Sequence, residues 1–169
     1  MAGERSVAVF IQAHESQQKF DYFVTGLTGA LCGFIAERYT ASRLGVNAST
    51  LELVSICILL VSFWFGFRRL QFGTLINQLN AHMLDVLEKR GTLATSVEGA
   101  PVANASTGDI YLPEMVRALV RKYGKDAKDI EKALEDTNSS AETAYHWRNR
   151  CLVAGFVVLL VAKVLRAYL

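Results

Sequence analysis

The chain has 169 residues, of which 51% are hydrophobic and 20% charged, with a formal net charge of +2 and a mean hydropathy of +0.23. Apolar residues this numerous, and clustered in runs, argue against an ordinary soluble domain, and so small a net charge offers no basis for a nucleic-acid partner. With two prolines and little β-branched alternation, the expectation is an all-α fold, a multi-pass helical membrane protein with three transmembrane helices.

Residues 1–19 carry Val7, Phe10, Ile11 and His14 at helical spacing, with Glu4, Arg5, Gln12 and Gln17 elsewhere. That pattern predicts an N-terminal amphipathic helix. The stretch lacks a long apolar core, so it does not read as a cleavable signal peptide. Residues 20–67 are expected to form a transmembrane hairpin. Its first span, 20–36 (FDYFVTGLTGALCGFIA), covers roughly 25 Å at about 1.5 Å per residue. Gly45 and Asn47 turn the chain in the link, and Ser49 with Glu52 three residues on resembles a capping box for the second helix.

The second helix is apolar on every side as far as Phe67, where Arg68 and Arg69 mark a change. Beyond them Phe72, Leu75, Ile76, Leu79, Met83, Val86 and Leu87 keep a near-heptad stripe, which needs a partner helix from this chain or another subunit. Lys89 and Arg90 suit a helix C-terminus, and Gly91 suits its stop. Residues 68–150 are thus expected to be a cytosolic helical region containing a loop, or a weak hairpin, over 91–112. Within it Pro113 and Glu114 open a helix ending at Gly124. Another begins near Asp126 and runs, kinked near Asn138, into a third membrane segment, 151–169. Only the twelve residues 151–162 are free of charge before Lys163. A full span therefore counts from Trp147, with Lys163 and Arg166 snorkelling outward.

Flanking charges set the orientation. Lys19, Arg68, Arg69, Arg148 and Arg150 fall on one side with an aromatic belt that includes Phe20, Tyr22, Trp64 and Trp147, against Arg38, Arg43, Lys163 and Arg166 on the other. The bias places the N-terminus and 68–150 in the cytosol of a cell with a plasma or bacterial inner membrane. Glu37 and Glu52 are expected to meet Lys163 and Arg166 at the outer face. Asp21 is expected at the level of Arg68, Arg69, Arg148 and Arg150, because an unpaired carboxylate at the hydrocarbon edge is costly.

Several groups of residues suggest a use. Gly26, Gly29 and Gly33 share a stripe, and Gly29 to Gly33 has GxxxG spacing, so helices pack closely there within the chain or between subunits. Thr25, Thr28, Ser55 and Ser62 either line an aqueous path or bond to their own and neighbouring backbones. Arg117, Arg121, Lys125 and Lys128 recur at about one-turn spacing, a solvated face or a contact for anionic headgroups or a protein partner, as Arg68 and Arg69 are at the inner interface. No aromatic or glycine-rich companion turns that face toward nucleic acid. Cys32, Cys57 and Cys151 are odd in number and lie in apolar segments, which fits packing rather than a disulfide framework. His14, His82 and His146 lack ligand spacing, and neither a nucleophile elbow nor a phosphate-binding loop occurs, so no metal, cofactor or catalytic residue is expected. The expectation is a non-enzymatic membrane protein that self-associates through Gly26, Gly29 and Gly33 and through Phe72, Leu79 and Val86, channel-like or effector-like, with cytosolic helices that receive a partner or signal. The rival is a non-conducting anchor that holds another protein.

Overall fold

The computed structural model describes residues 2–39, 45, 47–95, 102–103 and 110–168. The side chains of Val7, Phe10, Ile11 and His14, on which the amphipathic reading of the N-terminus rests, lie outside the described set, as do Arg43 and most of 96–109. Three long helices make up nearly all of the rest: α1 Ala2–Glu37 with 36 residues, α2 Ala48–Thr95 with 48, and α3 Pro113–Tyr168 with 56. A two-stranded antiparallel pair, β1 Val102–Ala103 and β2 Ile110–Tyr111, joins Val102 to Tyr111 and Ala103 to Ile110. It falls within the stretch 91–112, read from the sequence as a loop or a weak hairpin.

The helices are more continuous than the sequence implied. The amphipathic segment and the first apolar segment are one helix, α1. Gly91 does not stop α2, which runs on to Thr95 while the Thr92 hydroxyl donates to Glu88 O at 2.9 Å and the Thr95 hydroxyl to Thr92 O at 2.9 Å. Gly124 does not end a helix either. It lies inside α3, where one interior glycine costs only about 1 kcal/mol against alanine, and packing outweighs that. The N-cap of α2 is Asn47, not Ser49: its side-chain oxygen accepts the Thr50 backbone N–H at 2.8 Å and the Thr50 hydroxyl at 2.9 Å. This satisfies one of the orphan donors of the first turn and leaves Glu52 for other contacts.

The chain divides into two compact units, one made of 1–73 with 140–169 and the other of 74–139. In the first, α1 lies antiparallel to α2, with Asp21 beside Arg69 and Gly29 beside Phe63. There α2 is likewise antiparallel to α3, with Ser55 beside Gly155 and Ser62 beside Arg148. Its apolar core is small: Cys32, Ile35, Ile56 and Leu59, packed by Leu31, Tyr39, Leu152 and Leu159. In the second unit α2 packs on α3 through Val86, Ala127 and Ile130, flanked by Leu79, Met83, Tyr123 and Leu134. The stripe read from α2 therefore finds its partner inside the same chain, at Leu79, Met83 and Val86. Phe72, at the head of that stripe, belongs to the first unit and lies beneath Arg68, whose guanidinium is 5.4 Å from the ring centroid.

Candidate functional site

Three helices are held together in the first unit by a seam of buried polar groups. At one end, Arg148 Nη1 donates to Asp21 Oδ1 at 2.6 Å and Arg69 Nε to Asp21 Oδ2 at 3.4 Å. One carboxylate from α1 thus binds a guanidinium from α3 and another from α2. Tyr145 backs both, its ring 5.0 Å from Arg148 and 5.9 Å from Arg69. Arg148 Nε also donates to Asn149 Oδ1 at 3.1 Å. An ion pair stripped of water is tolerable only with further hydrogen bonds of this kind.

At the other end, Lys163 Nζ donates to Glu52 Oε1 at 2.6 Å and Arg166 Nη1 to the same oxygen at 3.3 Å. Glu52 is buried while its two cationic partners remain about half exposed. Glu37, expected in the same set, is exposed and stands outside it. Arg68 is exposed, whereas Arg69 is spent on Asp21.

Between the two charged ends, hydroxyls stitch the helices. Ser55 Oγ donates to Gly155 O and Ser62 Oγ to Arg148 O, each at 2.8 Å. The two donors are seven residues apart on α2, and the two acceptors seven apart on α3. Thr28 Oγ1 donates to Val24 O within α1 at 2.7 Å. Thr25 is buried, and its Oγ1 has no hydrogen-bond partner among the described residues. A hydroxyl left so in a packed interior carries a desolvation cost, of order 1–3 kcal/mol.

Glycines set how closely the helices approach, and Gly29, one of the three that the sequence singled out, is among them. Gly26 and Gly33 meet nothing among the described residues, and a Cβ at Gly29 would lie 2.9 Å from the edge of the Phe63 ring. The tightest approaches are at Gly66, where a Cβ would lie 2.6 Å from Thr25 Oγ1, and at Gly155, where it would lie 2.7 Å from Leu59 Cδ2. The sequence did carry a signal for them. Each is a lone glycine inside an apolar run, where its conformational cost needs a packing reason.

The outer surface of this unit is the reverse of its interior. Phe23 is 66% exposed, Val153 63% and Leu160 64%, whereas Ser55 and Ser62 are fully buried and Arg148 is 1% exposed. Two of the helices, α2 and α3, are long and apolar enough to cross a bilayer, each with a window of mean hydropathy 2.0. The third does not reach that level, because Asp21, Thr25, Thr28 and three glycines dilute its apolar run.

The second unit holds a groove of about 660 Å³ between α2 and α3. Arg121, Lys125 and Lys128, three of the four cations picked out in the sequence, line it. Arg90, read there as a helix-end residue, joins them. Arg117 lines an adjoining groove of about 570 Å³ with Ala94, Val120 and Arg121. Among the described residues, no three of His, Cys, Asp and Glu converge in either unit as metal ligands would.

Fold and seam together define an all-helical protein with two helices capable of spanning a membrane. No family model matches the chain, and neither a curated protein nor a solved structure does.

Proposed function

We propose that this chain is a small integral membrane protein that assembles with copies of itself into a channel-like or effector assembly. In this reading the first span is 20–36, the second is the apolar half of α2 up to Phe67, and the third is 147–169. The N-terminus and residues 68–150 lie in the cytosol, where the helices receive a partner or signal. The single observation that carries the reading is the inverted distribution of polarity in the first unit, with charges and hydroxyls inside and large apolar side chains outside. In water this arrangement would leave many large apolar side chains, among them Phe23, Val153 and Leu160, facing solvent. In lipid it is the stable one, since every polar group must find its partner within the bundle. Although the first span is the least apolar of the three, its one carboxylate, Asp21, is neutralised by Arg148 and Arg69.

Self-association is supported by Gly26 and Gly33, which nothing among the described residues covers. Such a face lets a neighbouring helix approach closely in lipid. The test is extraction and flux. The native chain should stay with membranes after alkaline washing and should release trapped ions when reconstituted into liposomes. Gly33→Leu should lower its apparent size in detergent without lowering its melting temperature. Release into the alkaline supernatant would refute the membrane reading altogether.

A second reading, a non-conducting anchor, is favoured by one observation. The hydroxyls that would line a path are taken up in helix packing, Ser55 and Ser62 on carbonyls of α3 and Thr28 on its own helix. A conducting path would then run between chains rather than through one. Electrically silent liposomes, together with a protein partner whose capture is lost on deleting 91–112, would decide for the anchor.

A further inference from the structure

We infer that the groove in the second unit, walled by Arg90 from α2 and by Arg121, Lys125 and Lys128 from α3, binds a small, water-soluble, phosphate-bearing anion. The inference deepens the view of residues 68–150 as a receiving element and rests on it for the consequence of binding; binding itself is measured separately from membrane insertion.

The charges are one-sided. Four cations and a single carboxylate, Glu131, line the groove. Asp126, Asp129, Glu135 and Asp136 occupy the same stretch of α3 but lie outside the lining. Among the described residues none of the four cations has an ion-pair partner; Arg121 Nε only reaches back to Arg117 O, at 3.4 Å. Arg117, Arg121 and Lys125 also follow one another at i,i+4 spacing, where like charges destabilise a helix. A run of this kind is relieved by a bound anion.

Size and shape narrow the ligand. A volume of about 660 Å³ is in the range of small-molecule sites. Two guanidiniums offer forked donors and two ammoniums offer point charges, a set suited to a compact anion with several phosphate oxygens. Leu87 and Val120 add apolar lining for an organic portion. A lipid headgroup layer is flat and would be met by a convex row of cations with apolar anchors beside it. These cations instead come from two helices and share one concavity.

The test is calorimetric titration of the full-length chain in detergent with inorganic tripolyphosphate at low salt. We expect one site per chain, with a dissociation constant below about 1 mM, weakened by added salt. Arg121→Gln combined with Lys125→Gln should weaken it by about tenfold or more, since each charge-assisted hydrogen bond is among the stronger kind. Lys132→Gln, outside the lining, should leave it unchanged. Circular dichroism confirms that the variants stay helical, and alkaline extraction reads membrane insertion independently. The idea is overturned by absence of binding, by binding that the double variant does not weaken, or by the cations serving only vesicles of phosphatidylserine and phosphatidylcholine while tripolyphosphate is ignored.

Discussion

Arg148 and Asp21, 127 residues apart in sequence, meet at 2.6 Å with both side chains buried. The pair ties the last helix to the first, and Arg69 ties the middle helix to the same carboxylate. Removing Asp21 strands the buried Arg148 guanidinium, whereas removing Asp21 and Arg148 together leaves the partly exposed Arg69 as the one charge of the cluster.

Asp21→Ala should therefore destabilise the chain by about 3–5 kcal/mol, the range for breaking a buried pair. Asp21→Leu combined with Arg148→Met should cost clearly less than the two single changes added together. Thermal unfolding in detergent followed by circular dichroism measures both. Strict additivity would mean that the two side chains do not act as a pair.

Glycine substitutions should separate the two kinds of glycine. Gly155→Ala drives a methyl toward Leu59, which is fully buried and has nowhere to move, and should cost about 1–3 kcal/mol as overpacking. In a Leu59→Ala background the same change should add little. Gly26→Ala meets nothing and should raise helix stability by up to about 1 kcal/mol. Melting temperatures in one detergent give the order directly.

Glu52 has two partners, each about half exposed. Lys163→Met or Arg166→Met alone should cost under about 1 kcal/mol, because the other cation remains and solvent screens both. The double change leaves a buried carboxylate with neither and should cost several times as much as either single. Unfolding of the three variants side by side checks this non-additivity.

Cys57 is exposed and Cys32 buried. If the first unit sits in lipid, Cys57 faces hydrocarbon, and a charged maleimide should fail to label it in intact membranes yet label it after denaturation in detergent. Rapid labelling of Cys57 in a Cys32→Ala, Cys151→Ala background, before any detergent is added, would contradict the membrane reading. Mass spectrometry of the adduct is the readout.

The helices were legible because the apolar period is written residue by residue, and Leu79, Met83 and Val86 show it plainly. The charged groupings were legible too, since a carboxylate at the end of an apolar run needs a cation: Asp21 with Arg148 and Arg69, Glu52 with Lys163 and Arg166. Which cations pair was not legible, because helix rotation decides it and flank counting carries no rotation. Helix ends misled for a related reason. Gly91 and Gly124 resemble stops, yet packing and threonine bonding carry the helices past them. Gly66 and Gly155 escaped notice because a close approach depends on the facing residue, Thr25 or Leu59, which lies far away in sequence. The groove was half visible: the row on α3 could be read, but Arg90 joins it only once α2 lies alongside.

The two serine-to-carbonyl bonds from α2 to α3, one heptad apart, act like two dowels through adjoining planks. Axial sliding by a single residue would pull both out together. Any change of state in this part of the protein must then come from pivoting or bending of the rods, with their mutual stagger preserved.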